Sequence, residues 1–144
     1  MTDPASSLRA KLFRTATVMR LASGNLRSHL FQASGESAMN ECRIREIYRQ
    51  SLELNRCAFA DGEYGIAYQV LLVALQCAQR LSDSSFLSEV ERLAEKESRY
   101  LDDHFPECEY SNKAAHSRGN PGLFQTAAQQ ARLMVHRVMP PKAN

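Results

Sequence analysis

There is no tryptophan in these 144 residues, and no acidic residue after Glu109. Long apolar stretches are missing too. The run at residues 70–75 is far shorter than the roughly 20 residues a membrane-spanning helix needs, so no membrane span is expected. The chain lacks GxSxG, HExxH, GxxxxGKS or GxxxxGKT, and GxGxxG, so the common signatures of hydrolysis, zinc chemistry, phosphate cradling and dinucleotide binding do not occur. No cofactor is implied. The four cysteines, Cys42, Cys57, Cys77 and Cys108, form no CxxC pair and no disulfide framework. Free, mostly buried thiols in a reducing cytoplasm are the expectation, because an unpaired cysteine packs as a small hydrophobe.

What is present is ordinary for a globular domain: 44% hydrophobic and 24% charged residues, in a length that suits one domain with extensions. The beginning of the chain has no continuous apolar core, being interrupted by Arg9, Lys11, Arg14 and Arg20, and so is unlike a secretory signal. Its richness in Arg and Ser, with Asp3 as its only acid, is also the composition of organelle-targeting segments. Charge is segregated along the chain. Residues 1–35 carry a net +4, residues 36–110 a net −7 and residues 111–144 a net +5. Basic ends around an acidic centre can fold back on it, pair with a second copy, or meet an anionic partner.

Helical periodicity runs through most of the chain. Asp3 and Pro4 suit a helix start, and Leu8, Leu12, Thr15 and Met19 share a face up to about residue 22. Residues 28–37 read as a connector. Ile44, Ile47, Ser51, Leu54 and Ala58 then define a stripe on a helix ending near Asp61 and Gly62. On its other face Glu46 precedes Arg49, and Glu53 precedes Arg56, at ion-pair spacing. From Tyr64 to Leu81 the pattern is apolar over more than half the helix circumference, which calls for cover on two sides. Ser82, Asp83, Ser84 and Ser85 offer caps for the next helix, marked by Phe86, Val90, Leu93, Ala94, Tyr100 and Leu101 and stopped by Pro106. Residues 107–119 read as a loop. Asn120 and Pro121 suggest the start of a last helix, with Phe124, Ala127, Ala128, Ala131, Val135 and Val138 on one side. Gln125, Gln129, Arg132 and His136 form its polar side.

Residues 48–81 resemble one tetratricopeptide repeat. Leu54 stands at the first helix's buried leucine, Gly62 and Tyr64 at the turn and second-helix start, and Ala67, Ala74 and Leu75 at the small and apolar positions behind it. The chain departs from the family pattern at Ser51, Ala58 and Gln79, where a tryptophan, an aromatic and a proline are usual. The resemblance covers about a quarter of the chain. It implies a concave helical surface that binds another protein or a second copy of the chain, and Asn55, Phe59, Tyr64 and Tyr68 beside the turn are the candidate partner contacts. The resulting expectation is an all-α fold of four to five helices, an antiparallel bundle around a tetratricopeptide-like hairpin. Its parts are a basic N-terminal helix and connector (1–36), a helical core (37–106), and a loop with a C-terminal basic helix (107–144).

Two other readings compete. Arg9, Lys11 and Arg14 at one end, with Arg132 and Arg137 at the other, have the charge needed to neutralise phosphates, an alternative in which the partner is nucleic acid. Asp102, Asp103, His104, Glu107, Cys108 and His116 include competent metal ligands, His104, Cys108 and His116 foremost, as a small metal-dependent enzyme would require. Pro106 interrupts the turn between His104 and Cys108, and the spacing matches no zinc signature.

Overall fold

The computed structural model describes residues 33–139, and these are all-α: α1 (Ala33–Ala60), α2 (Tyr64–Leu81), α3 (Ser84–His104), α4 (Asn112–Ser117) and α5 (Leu123–Val138). The expected helix near residues 3–22 lies outside the described residues. By contacts the chain divides into two units, 1–39 and 40–144. The core described below belongs to the second. No helix among the described residues is long and apolar enough to cross a membrane.

The α1–α2 turn is three residues long and closes on Gly62, whose φ of 80° is open to glycine at little steric cost. α2 buries Ala67, Leu71, Ala74, Leu75, Cys77 and Ala78. Its small residues let neighbouring helices approach closely, while Leu71, with no exposed surface, supplies bulk between them. α2 ends on Ser82 in the left-handed conformation, with its amide bonded to the Gln79 carbonyl. α3 begins at once, because the Asp83 carboxylate accepts from the Ser85 amide and caps it. Burial of Leu87, Val90, Ala94 and Leu101 holds one face of α3 in the core. α5 buries Phe124, Ala127, Ala128 and Ala131; α3 is its most extensive partner, and it also meets α2. The C-terminal helix therefore packs within its own chain, and Arg132 ties it down by pairing with Glu91 and Glu95 of α3 at 2.6 and 2.5 Å.

Six local expectations need correction. α1 starts at Ala33, so the second half of the expected connector is helical. Residues 112–117 form α4 instead of loop: the Ser111 hydroxyl accepts from the Ala114 amide, and Asp102 of α3 accepts from the amides of Asn112 and Lys113. α5 begins at Leu123, so Asn120 and Pro121 are not its cap and first residue; Gly122 stands at the cap, and its carbonyl accepts from the Thr126 amide and hydroxyl. The buried stripe of α1 is also rotated from the expected one. Ile47 and Leu54 are about half exposed, whereas Tyr48, Leu52 and Asn55 are buried. The reason is tertiary. The Tyr48 hydroxyl is shared between the Phe86 carbonyl (3.1 Å) and Glu89 Oε2 (2.8 Å), its ring packs on Phe86, and Asn55 bonds α2 and α3, so the polar residues turn that side of α1 inward. Of the two expected ion pairs on α1, Glu46–Arg49 forms at 2.7 Å, while Arg56 turns to Glu89 at 3.8 Å. All four cysteines are free, with Cys42 and Cys57 exposed, Cys108 partly buried and Cys77 buried; the thiols are thus not mostly buried.

Candidate binding cleft

Where the end of α1 and the start of α2 come against the second half of α3, the surface opens into a cleft of about 470 Å³. Each helix contributes by turn spacing. Arg56, Phe59 and Ala60 are three and four residues apart on α1, Leu93, Lys96, Glu97 and Tyr100 recur at the same intervals on α3, and Tyr64 opens α2. Phe105 completes the lining just past the end of α3.

Four rings form a closed circuit around it. Phe59 meets Tyr64 at 5.0 Å and Tyr100 at 5.5 Å between centroids, and Phe105 meets Tyr64 at 6.2 Å and Tyr100 at 6.1 Å. Edge-on and tilted arrangements at these separations are the favoured ones for aromatic pairs. Behind Phe59 stands Phe124 of α5, edge-on at 6.0 Å, which ties the wall to the core. Tyr100 and Phe105 remain 41% and 47% exposed, so the rings are accessible to a partner.

Glu97 lies in the lining yet is only 4% exposed. It occupies the buried face of α3 in register with Val90, Ala94 and Leu101, a place where a carboxyl must be held by other groups. Asn55 is the holder. Its Nδ2 donates to the Ala67 carbonyl at 2.9 Å and to Glu97 Oε2 at 3.3 Å, joining all three helices at one point. Burial pushes the Glu97 carboxyl up to about 7; the Asn55 hydrogen bond and the charges of Lys96 and Arg56 oppose the rise without cancelling it. Burial also raises the Tyr64 phenol.

Of the residues offered as partner contacts, Phe59 and Tyr64 line the cleft. Asn55 is fully buried with its amide on Glu97, and Tyr68 packs edge-on against Phe124 at 5.6 Å. Arg56, Leu93, Lys96, Glu97, Tyr100 and Phe105, which complete the lining, were not among the partner contacts expected from the sequence. The visible signal was Glu97, a carboxylate inside an apolar helical stripe.

The metal candidates are placed differently. His104 stacks on Tyr100 at 4.3 Å with Nδ1 3.1 Å from the Tyr100 carbonyl, and Asp102 accepts from two amides and the Asn112 side chain at the start of α4. Cys108 lies in the intervening turn and His116 on α4. Among the described residues no three His, Cys, Asp or Glu side chains gather as a metal site. Of the arginines considered for nucleic acid, Arg132 is engaged by Glu91 and Glu95, and Arg137 is exposed in the last turn of α5. Arg9, Lys11 and Arg14 lie outside the described residues. Compared with family profiles, curated proteins and solved structures, the chain matches none.

Proposed function

We propose that this chain is a protein-interaction module built on a tetratricopeptide-like hairpin, α1–α2, with the aromatic cleft as its recognition site. The observation that carries this is the closed circuit of Phe59, Tyr64, Tyr100 and Phe105 around an open cleft of a size that takes one side chain of a partner. Two of these rings stay nearly half exposed, whereas Phe124 behind them is completely buried. Exposed rings over a rigid floor are the usual anchors of recognition, because they offer large contact area and lose little side-chain entropy. The glycine turn at Gly62 and the buried Ala67, Ala74 and Leu75 support the repeat-like reading of the hairpin; the exposed Leu54 is a departure from it.

Selection of displayed random peptides on the purified full chain tests this. The expected result is a set of peptides sharing an anchor side chain, whose binding is lost on Phe105→Ala or Tyr100→Ala while the helical circular-dichroism spectrum is unchanged. Peptides indifferent to both substitutions, or no selection at all, would refute the assignment.

A further inference from the structure

We infer that the cleft recognises a cation carrying at least one N–H, the ammonium of a lysine-type side chain, held among the four lining aromatic rings and the Glu97 carboxylate. This rests on the cleft being a recognition site, and adds the chemistry of what enters it.

The hydrogen-bonding capacity at the floor points to a donor. Asn55 has two amide hydrogens, and both are committed, one to the Ala67 carbonyl and one to Glu97 Oε2. What remains is acceptor. Asn55 Oδ1 is buried and has no partner among the described residues, and Glu97 Oε1 accepts from none of them either. Glu97 lines the cleft, so its Oε1 is the acceptor open to an incoming N–H. The walls ask for the same sign. Aromatic rings attract cations, and four of them lining one cleft with a carboxylate favour an ammonium over an uncharged group of equal size. A four-carbon stem also matches the apolar part of the lining, Leu93 and Ala60.

The charged and titratable groups facing Glu97 set the pH dependence. Arg56 comes from α1 and Lys96 from α3, and the phenols of Tyr64 (α2) and Tyr100 (α3) complete the set. Arg56 is directed to Glu89 at 3.8 Å. Arg56 and Lys96 repel an incoming cation, so binding requires Glu97 to be ionised; with it protonated the cleft carries only positive charge. Cation binding therefore releases a proton near neutrality, and affinity rises with pH through about 7, where Glu97 titrates.

The test uses the full chain and three probes, Nα-acetyl-lysine N-methylamide and its norleucine and glutamate counterparts, titrated at millimolar concentration by NMR at about pH 6 and pH 8. The lysine probe is expected to bind about tenfold more tightly than norleucine at the higher pH, as one charge-assisted contact implies. It should lose most of that advantage at the lower pH. Glu97→Gln should erase the advantage of lysine over norleucine and its pH dependence. Lys96→Gln, at an exposed position, should strengthen lysine binding whether or not the Glu97 variant folds. Equal affinity for lysine and norleucine, or preference for glutamate, overturns the cation assignment and leaves the cleft as a recognition site. Resonances around Phe105 and Tyr100 unmoved by all three probes overturn both.

Discussion

Replacing Glu97 by glutamine isolates the energetic consequence of a carboxyl held at 4% exposure on the core face of α3. The unfolded chain ionises this group near 4.5, the folded chain near 7. Between those values the native state retains a proton that the unfolded state has released. Stability therefore falls as pH rises across this window: it is unaffected below about 4.5, and the loss is complete above about 7. At about 1.4 kcal/mol per pH unit, the full loss is on the order of 3 kcal/mol. Glutamine keeps an oxygen to accept from Asn55 and carries no charge at any pH. Urea unfolding followed by circular dichroism should thus give nearly equal stabilities for the two proteins at about pH 4.5, and an advantage for Glu97→Gln of about 2–3 kcal/mol at about pH 8. Taking the difference between the proteins removes other carboxyls such as Asp83, whose hydrogen bonds from Ser85 hold it low and act in the opposite direction. A difference that is the same at both pH values would refute the reasoning.

Other substitutions test the packing. A β-carbon at Gly122 would land on Asn112 Oδ1 and 3.2 Å from the Asn112 Cα, disrupting the bonds of Asn112 to Ser98 and Asp102; Gly122→Ala should cost about 1–3 kcal/mol in chemical denaturation. Leu71→Ala, at a fully buried site, should cost about 2–5 kcal/mol, while Leu54→Ala, half exposed, should stay within about 0.5 kcal/mol; equal losses would mean the register of α1 described here is wrong. Arg132→Met should lower Tm at low ionic strength by removing the pairs to Glu91 and Glu95, and the deficit should vanish near 1 M salt, where screening acts within about 3 Å; a salt-independent deficit would assign the effect to packing.

Much of the helical layout was readable residue by residue. The limits of α2, the Asp83 cap of α3 and the alanine face of α5 follow from local chemistry: periodicity, a capping carboxylate, and small residues that need a close neighbour. α4 escaped notice because two of its first amides are satisfied by Asp102, ten and eleven residues earlier, a partner no short window contains. The cleft was half legible. Phe59 and Tyr64 stand out beside the turn, but Tyr100 and Phe105 lie about forty residues further on and join them only through the α1–α3 packing.

The sequence alone therefore determined α2, α3 and most of α1 and α5, and which amino acids were available to cover them, since those properties depend on neighbours within a turn or two. Tertiary structure decided which side of α1 faces inward. An apolar count favours Ile47 and Leu54, yet Tyr48 and Asn55 are buried because α2 and α3 present a carbonyl and carboxylates at the right distance. The same packing made Glu97 a buried group, because its ionisation depends on desolvation and on a hydrogen bond from a residue forty-two positions away, quantities that exist only once the helices have met.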